Sequence, residues 1–584
     1  MRARFLFAVA GSGHRAILEG SAHCAQNGAA KLLESGSITM AAAWQRFGHK
    51  LARSRNAFFL LKRMKFHNTF WMTRHSYPWS PDNGDGTYSN PVIHADYSDP
   101  DVIRHGADFW MVASSFNCTP GLPILHSKDM VNWELVNHAI RQVPHPRYAD
   151  VQPGCGVWAP AIRFHAGKFW IFFPMPDEGI YVTTATDPAG EWAKPWCLQE
   201  AKGWIDPCPF WDDDGRAYLA HAWANSRSGK KERIHLRPMS PDCRMLLGEG
   251  QELFHTPHHL YLEGPKVHKI DGWYYILCPG GGVQAGWQVV FRSKNLLGPY
   301  EEKVVLETGS TPINGPHQGA MVDLPDGTWW FYHFQDCGPF GRIVHLQPVR
   351  WLDGWPIMGE DYDGNGIGEP VACWKKPITG HAAAVPATTD EFGAGPLGLQ
   401  WQWHANHDAS WFSLEARPGW LRLFGRPSPT SDISRTPHFL GQKYPARGFS
   451  AETLLDMSGA SVGAYAGLAV VSGSGAEFLG LRKSAQGCDL VLGGPGGLEV
   501  LGGCMGALIR LRADIRPDGS FVFSFAGEAE IFAEIPREFH STEGGWIGAK
   551  VGIFHSVPSG PPDGFADFDF LRFTPPPALL PHMT

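Results

Sequence analysis

Gly106-Ala107-Asp108-Phe109-Trp110-Met111, Gly167-Lys168-Phe169-Trp170-Ile171, Gly215-Arg216-Ala217-Tyr218-Leu219, Gly272-Trp273-Tyr274-Tyr275-Ile276 and Gly327-Thr328-Trp329-Trp330-Phe331 repeat one pattern. In each, a glycine turn feeds a short aromatic and apolar strand. The glycines lie 61, 48, 57 and 55 residues apart. A turn entering a strand about every 50 residues has the period of a β-propeller blade. Five repeats therefore predict five blades over residues 77–370. Six to ten residues ahead of each glycine, in the strand leading to the turn, stand Asp99, the triplet Trp158-Ala159-Pro160, Asp206, Glu263 and His317. If those strands are the innermost of their blades, three carboxylates from three blades converge on one central hole.

Outside the repeats the chain changes character. Residues 371–389, with Ala382-Ala383-Ala384 and two prolines from Pro377 onward, read as a linker. Residues 390–575 alternate again without the glycine-aromatic motif, as in Trp420-Leu421-Arg422-Leu423-Phe424 and Phe521-Val522-Phe523-Ser524-Phe525. About ten short strands there predict a β-sandwich. The expected class is all-β, a five-bladed propeller followed by a sandwich.

Composition agrees and excludes several partners. Gly 68, Pro 47 and 12% aromatics in 584 residues favour short strands and tight turns. Most of the 24 tryptophans are expected in the core, with a few free to stack on sugar rings. Residues 1–71 carry eleven Lys/Arg against Glu19 and Glu34, a surplus of +9, which leaves −16 on the remainder. An acidic body argues against nucleic acid or an anionic membrane as partner. The apolar core Phe5–Ala10 is short for a signal peptide, and residues 1–71 are expected to stand outside the propeller, with translation starting near Met64 or Met72. Eleven scattered cysteines, odd in number and without a C-x-x-C pair, fit a reducing compartment, so a cytoplasmic location is expected.

Hydrolysing a glycosidic bond takes two carboxyl groups in different environments. One protonates the leaving oxygen, and the other activates water or attacks the sugar. Asp99, Asp206 and Glu263 each precede a proline directly or by one residue. A lone Asp-Pro reads as a turn; three such acids in three blades read as a site.

The stretch Asn90-Pro91-Val92-Ile93-His94-Ala95-Asp96-Tyr97-Ser98-Asp99-Pro100-Asp101-Val102 resembles the opening motif of family 43 glycoside hydrolases. The resemblance continues through Ser115–Asp129, Gly156-Val157-Trp158-Ala159-Pro160, Ile205-Asp206-Pro207, Leu262-Glu263-Gly264-Pro265, His317-Gln318-Gly319 and Gly341-Arg342. It covers roughly 77–370, and the trailing sandwich looks like the accessory domain of the family's β-xylosidases and α-L-arabinofuranosidases. It implies an exo-acting, inverting enzyme that removes terminal β-D-xylose or α-L-arabinofuranose from xylan-type oligosaccharides. Asp99 would be the general base, Glu263 the general acid, and Asp206 would orient that acid and hold its pKa up. Some members carry Asp after Trp-Ala-Pro where this chain has Ala161. Asp206 then takes the third role.

By the same resemblance Arg342 would reach a sugar hydroxyl, while a buried salt bridge to one of the acids is its alternative. Phe116 and Trp158 would wall the pocket, or simply pack. His317 would stand near the channel axis, where some relatives place a structural calcium or sodium ion; no cofactor is required by the chemistry. Asp96 and Asp101 compete with Asp99, their plainer reading being a hydrogen-bonded turn. Asp361-Tyr362-Asp363-Gly364-Asn365-Gly366 resembles half a calcium loop, but Ala372 stands where its Glu belongs, so a polar turn is expected. Asn117-Cys118-Thr119 is a sequon expected to stay unmodified. An endo-arabinanase of the same family and a non-catalytic carbohydrate-binding propeller remain the alternatives, and a homo-oligomer stays open.

Overall fold

The computed structural model describes residues 77–428, 431–527, 531–558 and 563–576. The expectations for residues 1–71 lie outside this set. Five four-stranded antiparallel sheets follow one another along the chain, each in the order of its strands. Their first strands are Asp101–His105, Ala161–His165, Trp204–Trp211, Lys266–Ile270 and His317–Asp323. The last strand of the fifth sheet ends at Met358. Five apolar clusters fill the junctions between neighbouring sheets, for example Phe172 with Trp204 and Ile234 with Ile276. This is a five-bladed β-propeller.

The five glycines that announced the repeat sit in the hairpins between the first and second strands of each blade. Their φ values are +63, +77, +81, +72 and +86, and a Cβ on any of them would meet nothing within 4 Å. Backbone conformation alone selects glycine there: the turn needs a left-handed residue, which glycine adopts without strain.

Each blade is built from consecutive strands, so something other than a shared blade must close the ring. Ile93 and Val344 exchange backbone hydrogen bonds of 3.2 and 3.0 Å. Asn90 donates to the Leu346 and Val371 carbonyls at 2.8 Å each and accepts from Leu346 N–H at 2.9 Å. Thr87–Ser89 then pairs with Cys373–Lys375. The stretch expected as a linker from 371 therefore begins as part of this clasp. Its polarity and prolines concealed a two-stranded edge, which needs only three residues per strand.

Residues 402–574 form two packed sheets of eight and seven strands, a β-sandwich with Trp401, Trp403, Leu455, Phe523, Ile553 and Phe568 in its core. The strand count exceeds expectation because several pairing segments are only two residues long. Hydrogen bonds join the sandwich to the propeller. Asn117 Nδ2 donates to the His404 carbonyl at 2.5 Å, Thr119 pairs with Trp403, and Ala549 N–H donates to the Pro339 carbonyl at 2.7 Å. Among the described residues no helix is long and apolar enough to cross a membrane.

Candidate active site

The acids occupy the entries to the innermost strands, and the backbone there is kinked. Asp99 has φ +56, Asp206 φ +55, Gly264 φ +59 and Gln318 φ +46. Asp206 lies within its strand at a register shift between Ile205 and Cys208, and Gln318 lies at one between His317 and Gly319. Such bulges re-aim side chains. Two expectations change here. Asp99 and Glu263 stand in the segments just ahead of their strands, not in them. The kink falls on the acid itself at Asp99 and Asp206 but on the residue after Glu263, and the acids stand 7, 9 and 9 residues ahead of their glycines, so neither position relative to the kink nor offset is constant between blades.

Asp99 is buried, and three groups donate to it. Ser98 Oγ and Ser114 Oγ reach Oδ2 at 2.7 and 2.6 Å, and Arg342 Nη1 reaches Oδ1 at 3.2 Å. Donors at both oxygens are what an anion calls for. Asp206 is buried and accepts from Gly264 N–H at 2.7 Å. Burial, and then the charge of Asp99, push its pKa up to about 6, against the hydrogen bonds from Gly264 and Gln318 and the charge of Lys266. Gly264 adjoins Glu263, so Asp206 grips the backbone of the residue whose acidity it influences. Gly264 cannot be replaced there without displacement, since a Cβ would lie 2.6 Å from Gln318 Oε1 and 2.9 Å from Pro279 Cδ.

Glu263 retains 29% of its side-chain exposure. Burial raises its pKa well above the ordinary carboxylate range. The charges of Asp206 and Asp99 add to the rise, while Arg342 opposes it. Its Oε1 lies 3.4 Å from Nε2 of His317, a residue 1% exposed. Burial, with the nearby Arg342 cation, lowers the His317 pKa to about 3, so this imidazole is neutral at physiological pH.

The residues carried over as substrate contacts gather in the same place. Arg342 donates to Ser98 Oγ at 3.0 Å, and its guanidinium lies 4.6 Å from the centre of the Phe334 ring. The salt bridge to Asp99 forms, and Nε has no hydrogen-bond partner. Phe116, at φ +53, exchanges backbone hydrogen bonds with Val157, which fixes it beside Trp158. The Trp158 indole donates to the Gly154 carbonyl at 3.0 Å.

Both competitors of Asp99 have other work. Asp101 is fully buried and accepts from Ile162 N–H at 2.7 Å and Arg163 Nη1 at 2.6 Å, with Lys266 Nζ at 3.6 Å. It ties three blades together. Asp96 accepts from Arg342 N–H at 3.0 Å and from Gly548 N–H of the sandwich at 2.9 Å. That second bond anchors a sandwich loop in which Trp546, a residue the sequence reading did not single out, approaches Trp158 with ring centres 4.9 Å apart. A tryptophan flanked by Gly544, Gly545 and Gly548 in a strand-to-strand connection was its only sequence signal. Ser98, Ser114 and Gln318 were also missed, since small polar residues carry no pattern of their own.

At the expected metal position both ring nitrogens of His317 are buried without a hydrogen-bond partner among the described residues, so the imidazole would be the protein ligand of such an ion, with water supplying the oxygens calcium takes. Among the described residues, the histidine and carboxylate group spaced for a metal is His258, His259 and Glu302. There the Trp287 indole donates to His259 Nδ1 at 3.1 Å, which places the imidazole proton on Nε2 and removes that nitrogen as a ligand. Asp361 accepts from Gly364 and Gly366 N–H at 2.8 and 3.0 Å, a polar turn as expected. The sequon Asn117 is 4% exposed.

Residues 88–356 match the model of glycosyl hydrolases family 43, and residues 389–574 that of the beta-xylosidase C-terminal concanavalin A-like domain. The chain belongs to glycoside hydrolase family 43. A Xylanibacter ruminicola protein named "Putative beta-xylosidase" is 41% identical over 472 residues, 81% of this chain and 86% of its own. The non-reducing end alpha-L-arabinofuranosidase BoGH43B of Bacteroides ovatus is 29% identical over 62% of this chain and 70% of its own. The crystal structure of the GH43 protein BlXynB from Bacillus licheniformis superposes with a TM-score of 0.74 at 26% identity, over 84% of this chain and all of that one. As a family 43 member this chain is a glycoside hydrolase, acting on oligosaccharides.

Proposed function

We propose that this enzyme removes terminal β-D-xylose or α-L-arabinofuranose from the non-reducing ends of xylan-type oligosaccharides, with inversion at the anomeric carbon. Asp99 is the general base that deprotonates the attacking water. Glu263 is the general acid that protonates the departing oxygen. Asp206 orients that acid and keeps it protonated.

One observation carries this reading: two neighbouring carboxyl groups have opposite environments. Three donors converge on Asp99, whereas burial and two negative neighbours favour the protonated form of Glu263. Such separation is how one site runs acid and base chemistry at a single pH. For an inverting enzyme the two carboxyls stand roughly 6.5–9.5 Å apart, leaving room for water. Arg342, joined to the base, is the donor for a sugar hydroxyl in the first subsite, with Phe116 and Trp158 as walls. Exo action is supported by the sandwich loop, which brings Trp546 against Trp158 and narrows one side of the site.

Initial rates on nitrophenyl β-xyloside, nitrophenyl α-L-arabinofuranoside and linear arabinan test the substrate. Internal cleavage of arabinan as the fastest reaction would refute exo action. Proton NMR of the first product tests the stereochemistry, and a retained anomer would make Asp99 a nucleophile instead of a base.

A further inference from the structure

Lys550 is a lysine in an unusual place. It is 3% exposed, on the sandwich strand Lys550–Val557 facing the propeller. Its only hydrogen-bond partner among the described residues is the Sγ of Cys118, at 2.8 Å, and no carboxylate among them pairs with it. Directly opposite it on the neighbouring strand stands a second lysine, Lys443. Like charges in that register oppose each other. Burial lowers the pKa of Lys443, and the facing Lys550 adds to this while Asp96 and Cys118 oppose it. Cys118 is 4% exposed and belongs to the propeller segment that also carries Phe116.

Two other cysteines meet cations. Cys208 Sγ lies 3.1 Å from Arg163 Nη2, and Cys155 Sγ lies 3.7 Å from Arg227 Nη2. A guanidinium is a poor nucleophile. Cys488 stands opposite Lys483 within one sheet, whereas Cys118 has a primary amine at hydrogen-bond distance, and those two side chains come from different domains.

We propose that Cys118 and Lys550 form a redox-controlled covalent clasp, a sulfenamide between propeller and sandwich, when the enzyme meets a peroxide. In the first step the thiolate attacks one peroxide oxygen. An S–O bond forms, the O–O bond breaks, and the departing hydroxide takes a proton from the Lys550 ammonium. Sulfur is oxidised by two electrons, the peroxide is reduced, and the products are a sulfenic acid, water and a neutral amine. In the second step the Lys550 amine attacks the sulfur. An N–S bond forms, the S–O bond breaks, and hydroxide leaves with a proton from nitrogen as a second water. A thiol reductant reverses the link. The clasp holds the Phe116 segment to the sandwich, whose loop carries Trp546, so it would stiffen both walls of the pocket.

The test is peroxide treatment of the reduced full-length enzyme, followed by non-reducing digestion and tandem mass spectrometry. The exposed Cys197 reports that the oxidant dose sufficed. The expected species joins the Cys118 and Lys550 peptides at a mass two hydrogen atoms below their sum, and dithiothreitol separates them. It disappears in Cys118→Ser and in Lys550→Arg, which keeps the positive charge. Thermal unfolding of the native enzyme shifts upward on oxidation and back on reduction, and in neither variant. Recovery of Cys118 as free thiol, sulfinic or sulfonic acid with Lys550 unlinked, while Cys197 is oxidised, would overturn the proposal.

Discussion

Replacing Asp206 by Asn isolates the electrostatic part of its role, because the amide oxygen can still accept the 2.7 Å hydrogen bond from Gly264 N–H. What disappears is a negative charge. That bond places the Asp206 carboxylate against the residue next to Glu263, and we take the pair at the outer end, about 6 Å, of the range over which neighbouring charges shift a pKa. At an effective dielectric of about 20, like charges at that distance repel by about 3 kcal/mol, worth about two pH units of proton affinity. Arg342 offsets part of this. The pKa of Glu263 should therefore fall by about one to two pH units. The sign follows from the chemistry: a general acid works only while protonated, so its pKa sets the alkaline limb of the rate profile, and that limb should move to lower pH. It should not reach the ordinary carboxylate range, since burial, the largest cause of the raised pKa, remains. Where the native enzyme is still on its plateau, Asp206→Asn should be about 10- to 100-fold slower. The gap should close as pH falls below about 6, where native Asp206 itself becomes protonated. The assay is kcat/KM for a natural xylooligosaccharide from pH 4 to about 9, the interval over which a shifted carboxyl titrates. An alkaline limb that stays in place, with the same loss at every pH, would refute the electrostatic role and leave Asp206 a purely geometric one.

Three further outcomes follow from the same geometry. Glu263→Gln should lower activity on xylooligosaccharides by about 10³-fold or more yet spare much of it on substrates whose leaving group needs no proton, whereas Asp99→Asn should abolish both; equal losses for Glu263→Gln on the two substrate types would contradict its assignment as acid. Trp546→Ala removes the ring beside Trp158 and should raise KM several-fold with the pH profile unmoved, measured on xylobiose. Asn90→Ala leaves the Leu346 N–H and the Val371 carbonyl of the ring closure without partners, while the Leu346 carbonyl keeps the Tyr88 hydroxyl at 2.8 Å, a destabilisation of about 2 kcal/mol that urea unfolding should register.

How far the sequence spoke depended on whether a residue's job has a period. The glycines of the five hairpins recur because every blade needs the same left-handed turn, so the fold was legible from them. The acids were legible as residues but not as positions. Asp99 and Asp206 sit on the kinked residue and Glu263 one before it, a difference that spacing alone could not resolve. Ser98, Ser114 and Gln318 serve the acids through single hydrogen bonds and leave no pattern. Trp546 and Asp96 act across domains, 450 residues apart in the chain. Chain order contains no trace of which sandwich loop meets which blade. His317 was legible from its place in the motif, but its neighbours Glu263 and Arg342 come from other parts of the chain and are brought to it only by the fold.

The kinked backbone explains why these acids can share one hole. A left-handed conformation is unfavourable for a residue with a side chain by roughly 1–2 kcal/mol, and Phe116, Asp99, Asp206 and Gln318 all adopt it near the site, at φ +53, +56, +55 and +46. Regular strands would present alternate residues to the hole and leave the acids at whatever spacing the ladder dictated. The kinks break that constraint, and local bonds hold each one: Asp99 by Ser98, Ser114 and Arg342, Asp206 by Gly264, Phe116 by Val157. Proline follows the kink at Pro100, Pro207 and Pro265, and steers the preceding residue out of the right-handed helical region. The motif prolines thus belong to the backbone of the proposed catalytic arrangement. They help to fix the acids where desolvation and mutual repulsion can separate their affinities for a proton. The stability given up in strain and in burying three carboxyl groups is the condition for having an acid and a base side by side at the same pH.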